Sequence, residues 1–269
     1  MLEMFLLILI FIFGLIVGSF LNCVIYRLEV DESPLSGSSY CPHCRHILRW
    51  YDLIPVLSFI FLRGQCRYCS EKISWQYPLV EITTGLLFIL LLNYELRITN
   101  YELLNFEVIL NLLFSILITC FLIIIFVYDL KHYIIPDKVI YPAIVVALSF
   151  NLLRSDLLGR TDLLLSALGA AGFFLFIVLI SQGKWMGIGD IKLAFLMGLI
   201  LGFPNILIAL FFAFFTGAII GVGLILSKKK TLKSEVPFAP FLIIGTFFAL
   251  FWGQNFFEWY WYFFLFLLK

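Results

Sequence analysis

Two aspartates stand where apolar runs meet polar sequence. Asp129 closes the run that ends F-V-Y-D-L-K-H-Y-I-I-P-D, and Asp190 follows two glycines in K-W-M-G-I-G-D-I-K-L. A carboxylate at such a boundary is costly unless it has a partner or a task. Two carboxylates held together cannot both ionise readily, so one keeps a proton while the other acts as a base. Such a pair can activate water and protonate a leaving amine. The alternative for each is helix capping, which Asp favours at an N-terminus. Capping suits Asp137, which comes after Pro136 and before the next apolar run. It suits Asp129 less, because a negative charge at a helix C-terminus opposes the dipole. Gly187 and Gly189 allow close backbone approach beside Asp190, and Lys192 follows two residues later. Glu81, near the start of another apolar run, is either a further functional carboxylate or a hydrated group at headgroup depth.

A second set of chemistry-bearing residues is C-P-H-C (Cys41, Cys44) and C-R-Y-C (Cys66, Cys69), with 21 residues between the pairs. Two such pairs can close a tetrahedral thiolate site for structural zinc. The rival is disulfide formation, which a reducing compartment disfavours. His43 and His46 are read as solvated neighbours. Cys23 and Cys120 lie in apolar runs and are read as packing residues.

The elements that must carry these groups are membrane helices. The chain has 269 residues, 63% of them hydrophobic, and a mean hydropathy of +1.07. A soluble domain is about 45–50% apolar. Apolar runs fall at 4–26, 78–93, 108–128, 138–153, 163–181, 191–203, 205–226 and 239–265, which predicts an all-α polytopic protein with about eight transmembrane helices. The second, fourth and sixth are short. The first is too long, and lacks the cleavage site, for a removable signal. The expected organisation is a first helix over 1–26, a polar four-cysteine subdomain over 27–77, and a helical membrane domain over 78–269.

Of the 18 Lys and Arg, one alternate set of loops carries Arg27, Arg45, Arg49, Arg63, Arg67, Lys72, Lys131, Lys138, Lys184, Lys192, Lys228, Lys229, Lys230 and Lys233. The opposite set holds Arg97, Arg154, Arg160 and Lys269. The positive-inside rule then places the first set in the cytoplasm, together with the cysteine pairs and Asp129, Asp137 and Asp190, and leaves both termini outside. The basic stretch over 227–233 is expected to set topology and touch anionic lipid; no nucleic-acid partner is expected. Gly14 with Gly18, and Gly217 with Gly221, have the small-xxx-small spacing of close helix packing, read as intramolecular.

These motifs together resemble the prepilin peptidases, membrane aspartic peptidases of the G-x-G-D type. G-S-F-L-N-C-V-I-Y-R-L, the cysteine loop through P-L-V-E, Y-D-L-K-H-Y-I-I-P-D, G-I-G-D-I-K and V-P-F-A-P-F-L occur in the family's order over nearly the whole chain. The resemblance implies Asp129 and Asp190 as the catalytic pair, with Asp137, Lys192, Gly187, Gly189 and Glu81 in support. It implies prepilin or pseudopilin substrates cut after a short basic leader at the bacterial inner membrane. It also implies N-methylation of the new terminus with S-adenosylmethionine as donor. Methyl transfer is not read from composition or spacing: there is no G-x-G-x-x-G loop, and Asn22, Arg27 and Glu81 are the donor-site candidates. Two departures, Glu29 where Pro is usual after Leu28 and Ala239 where Gly is common, fall on no proposed catalytic group. A transporter or scaffold with a zinc-stapled loop is the competing class; its carboxylates would sit at the bilayer midplane.

Overall fold

The computed structural model describes residues 2–33, 37–98, 106–153, 157–184, 186–227 and 236–267. Arg154, the four lysines between 228 and 233, and Lys269 lie outside them. Among the described residues the chain is helical, with only two isolated β-bridges. The elements are α1 (Leu2–Glu29), a 3₁₀ turn (Trp50–Asp52), α2 (Leu57–Phe61), α3 (Gln76–Ile98), α4 (Phe106–His132), α5 (Asp137–Leu153), α6 (Leu157–Ser181), α7 (Ile188–Leu201), α8 (Asn205–Leu226) and α9 (Ala239–Leu267).

Each of the eight predicted apolar runs is a helix. Six of them are long and apolar enough to cross a membrane. The other two are α5, with 17 residues, and α7, with 14. At 1.5 Å per residue α7 is about 21 Å long, short of a hydrocarbon core of about 30 Å. The second run is longer than its apolar stretch suggested: α3 starts at Gln76 and continues through Asn93, Tyr94 and Glu95 to Ile98, 23 residues in all. Polar residues inside a helix ended the hydropathy pattern before the helix ended.

The chain forms two compact units, Met1–Ile124 and Ile125–Lys269. In the first, α1 packs along α3. A Cβ on Gly14 would lie 2.6 Å from Gly85 Cα, and one on Gly18 would lie 2.7 Å from Glu81 Cα. The Gly14/Gly18 pair is therefore an intramolecular packing seam.

In the second unit α7 is the core. It touches α5, α6, α8 and α9, and Leu193, Ala194, Leu196 and Met197 are fully buried. This is why so short a helix is apolar on all sides. Asn151 of α5 donates to the Leu199 carbonyl at 2.9 Å, which ties the two short helices together. Gly217 and Gly221 do not form the expected close seam. Gly217 meets Phe238 and Phe241 only at ordinary contact distance, and Gly221 has open space. The tight approach of α8 to α9 uses Gly245 against the Ala209 backbone instead, and α7 meets α6 through Gly198 against Ala167.

These positions give opposite expectations for one substitution. Gly198→Ala drives a methyl into the Ala167 backbone and should cost about 1–3 kcal/mol. Gly221→Ala gains helix propensity in open space and should be neutral or stabilising by up to about 1 kcal/mol. Thermal unfolding of the two variants in the same detergent reads both; equal shifts would contradict the packing described.

Candidate active site and metal site

Asp129 lies in the last turn of α4 and Asp190 in the first turn of α7, both within the second unit. Both are buried, 4% and 9% exposed. They come close enough for their charges to interact. Asp190 Oδ2 accepts the Gly187 N–H at 3.2 Å, so this carboxylate caps its own helix and lies at the positive end of the α7 dipole. The capping alternative thus holds in part for Asp190, alongside its proximity to Asp129.

Asp129 accepts the backbone N–H of Ala239, the first residue of α9. Its Oδ2 is buried without a hydrogen-bond partner among the described residues. The expectation that the change at Ala239 falls away from the proposed catalytic groups is corrected here. Its amide reaches Asp129, and a backbone donor is available from Ala as from Gly. The sequence signal was the V-P-F-A-P-F-L motif itself: a Pro-flanked helix start presents free N–H groups. The carboxylate at an unfavourable helix C-terminus is thereby compensated by the N-terminus of another helix.

Gly189 is needed for close approach. A Cβ there would lie 3.1 Å from Ile135 Cβ, in the segment joining α4 to α5. Gly187 has no such tight neighbour and contributes its amide. Asp137 opens α5 and is exposed; its Oδ1 accepts from Lys192 Nζ at 2.6 Å. Lys192 also lies 4.6 Å from the Tyr141 ring centroid. Lys192 and Asp137 thus pair with each other and link the starts of α5 and α7. Because the pair is partly solvated, Lys192→Met should cost about 1 kcal/mol, a several-fold loss of any turnover that depends on Asp190 placement. Turnover measured at saturating substrate reads it, and a loss of a thousandfold would give Lys192 a direct part in the chemistry.

Glu81 belongs to the first unit. It is buried, and Oε2 accepts the Val56 N–H at 2.7 Å. Of the other two donor-site candidates, Asn22 donates to the Tyr77 carbonyl and accepts from Gln76, and Arg27 donates to the carbonyls of Gly37 and Ser38. Asn22 thus ties α1 to α3, while Arg27 and Glu81 tie the polar loop to α1 and α3.

The polar loop holds two matching knuckles. Cys41 N–H donates to the His46 carbonyl and Arg45 N–H to the Cys41 carbonyl. Twenty-five residues later Cys66 and Ser70 repeat the pattern, with Glu71 as acceptor. Bridges Tyr40–Ile47 and Gln65–Lys72 close each knuckle. The four Sγ atoms all lie within 4.8 Å of one another, and Cys41 and Cys69 are 3.9 Å apart. A tetrahedral site with metal–sulfur bonds of about 2.3 Å has sulfur–sulfur edges of about 3.8 Å, so the donor set fits a metal ion. All four thiols are free.

Burial would push the Cys66 thiol up, but the backbone amides of Tyr68 and Cys69 and the neighbouring thiols hold it at about 7. The Glu71 amide would lower Cys69, whereas burial and the neighbouring thiols push it up to about 12. His43 is exposed, and His46 stacks on Tyr68 at 3.6 Å; neither joins the thiol cluster. Asp52 locks the second knuckle, accepting from Arg67 Nε at 2.8 Å and from Tyr68. Burial alone would raise its carboxyl, but these donors and the Arg49 amide keep it below the usual carboxylate range.

Membrane-length helices, a pair of knuckles whose four thiols could hold a metal ion, and two buried carboxylates, one at the end of α4 and one at the start of α7, define a multi-pass membrane protein. Comparison with known proteins places that class. Residues 12–94 match the bacterial peptidase A24 N-terminal domain, and residues 116–222 match the type IV leader peptidase family. The prepilin leader peptidase/N-methyltransferase of Aeromonas hydrophila is 32% identical, over 94% of this chain and 92% of its own length. That of Bacillus subtilis (strain 168) is also 32% identical, over 93% and 96%. No solved structure matches the chain. The chain belongs to the prepilin leader peptidase/N-methyltransferase family.

Proposed function

We propose that this protein is a membrane aspartic endopeptidase that removes the leader of prepilins or pseudopilins at the cytoplasmic face and N-methylates the new terminus. The observation that supports the peptidase reading is that Asp129 and Asp190, both buried and on two different helices, lie close enough for their charges to interact. One carboxylate draws a proton from a water as it attacks the scissile carbonyl; the other, protonated, hydrogen-bonds the carbonyl oxygen. The proton then passes to the leaving amine. Gly187 and Ala239 amides hold the two carboxylates in place through this exchange. Gly189 keeps Ile135 and the start of α7 in contact. A prepilin offers a charged leader followed by an apolar helix, so its scissile bond lies at the depth of such a site. Interior ion relays of transporters lie at the midplane, and family membership removes that alternative.

Cys41, Cys44, Cys66 and Cys69 would hold zinc, which when bound cross-links the two knuckles and does no chemistry on the substrate. S-adenosylmethionine is the proposed methyl donor, on the strength of the relatives' names. Incubating the purified protein with a prepilin, with and without that donor, and weighing the products tests both activities separately. An intact substrate under all conditions would refute the peptidase.

The proposed topology counts α5 and α7 as short crossings covered by their neighbours beside the six long helices, eight in all, with the polar loop inside and both termini outside. A reporter fused after Lys233 should read cytoplasm and one at Asn100 the outside; both points lie outside the described residues. The opposite pattern would invert the assignment.

A further inference from the structure

The polar loop carries an apolar surface that the peptidase reading does not use. Leu53, Ile54, Leu57, Ile60 and Phe61 are all exposed, Phe61 at 81%. They cluster on and just before α2, a helix with no buried residue. Trp75, also exposed, lies one residue before α3 and stacks near Phe59, with ring centroids 5.0 Å apart.

Where this segment sits is decided by Glu81. It lies five residues into α3, about 7.5 Å along the axis from Gln76, within a helix long and apolar enough to span. Its carboxylate holds the N–H of Val56, the residue that starts α2 with φ of +61°. Val56 is thus tied to a point inside the span. At that depth water is scarce, and backbone groups need internal partners. They have them: Ser58 donates to Ile54, Ile60 to Val56, Leu62 to Ser58 and Gly64 to Phe59. The flanks carry exposed Arg49 and Arg63, and Trp75, just before α3, is of the residue type that prefers the membrane interface.

We infer that residues 53–61 form a lipid-seated wedge, in which α2 inserts its apolar face into the acyl–headgroup boundary of the bilayer that α1 and α3 cross, with Glu81 as its internal anchor and Arg49 and Arg63 on anionic headgroups. The occupant of this face is phospholipid. An apolar helix face flanked by cations is the make-up of an interfacial helix, and two spanning helices, one at each end of the loop, hold it against that surface.

The test is photocrosslinking of the full-length protein in nanodiscs of phosphatidylethanolamine and phosphatidylglycerol. Leu57, Ile60 and Phe61 are replaced one at a time by p-benzoylphenylalanine. All three are exposed, so the fold tolerates the change, and retained metal verifies this. Irradiation should give phospholipid adducts at each position, with phosphatidylglycerol enriched at least twofold over its share of the disc. Glu81→Ala, combined with the label at 61, should lower the adduct yield several-fold by releasing Val56. Chain-to-chain adducts would make the face a contact between copies and overturn the proposal. So would adducts to added prepilin that displace those to lipid, or the absence of lipid adducts at all three positions.

Discussion

Asp129→Asn and Asp190→Asn should each lower leader cleavage by about a thousandfold or more, to near background, while the protein stays folded and metal-loaded. Amide replaces carboxyl at constant shape, so the loss isolates proton transfer, and positioned acid or base groups contribute about 10²–10⁴-fold. Neither half of a pair can perform both transfers, so the double variant should be hardly worse than either single one. Asp190→Asn also keeps an oxygen for the Gly187 amide, so capping is not the function removed. Asp137→Asn should cost far less, since that side chain is exposed and pairs with Lys192. Cleavage against pH should be bell-shaped, with two apparent pKa values that belong to the pair. Methylation of a peptide already cleaved should survive both substitutions. Near-normal cleavage by either single Asn variant would make the dyad wrong.

Replacing Cys41 and Cys44 by Ser should release about one zinc per chain and unfold the knuckles. Structural zinc contributes about 10–16 kcal/mol to small zinc-dependent folds, and a segment this short has little core of its own. Methyl transfer should fall at least tenfold. Cleavage should fall less, because Asp129 and Asp190 belong to the other compact unit. Chelation of the wild-type protein should reproduce the pattern, and restored zinc should reverse it. Metal analysis finding no zinc in native protein, with the pairs as disulfides, would end this reading.

Much of the site was legible because its residues are conspicuous where they stand. A carboxylate at the end of an apolar run, as at Asp129, stands out in any hydropathy reading. The paired cysteines announce a tetrahedral set by spacing alone, and their thiols do converge. Ala239 was not legible as part of the site, because its contribution is a backbone N–H that no side chain advertises. Nor was the role of Glu81. A carboxylate near the start of a span reads as functional or hydrated, whereas its partner is the amide of Val56, 25 positions earlier. The glycine pairs show the same limit: Gly14/Gly18 and Gly217/Gly221 have one spacing, yet only the first meets another backbone closely.

The sequence by itself determined the membrane setting, the helical class and the thiol quartet, and it singled out the two aspartates as candidates. These follow from composition, period and residue type, which are local properties of the chain. Tertiary structure alone decided that Asp129, at the end of α4, and Asp190, at the start of α7, 61 positions apart in the sequence, come close enough for their charges to interact. It also decided that α7 is a buried core helix, that Lys192 pairs with Asp137, and that Val56 hangs from Glu81. Each of these is a contact between distant segments. Its existence depends on which helices pack together, and the hydrophobic pattern of one helix does not say which neighbour will cover it.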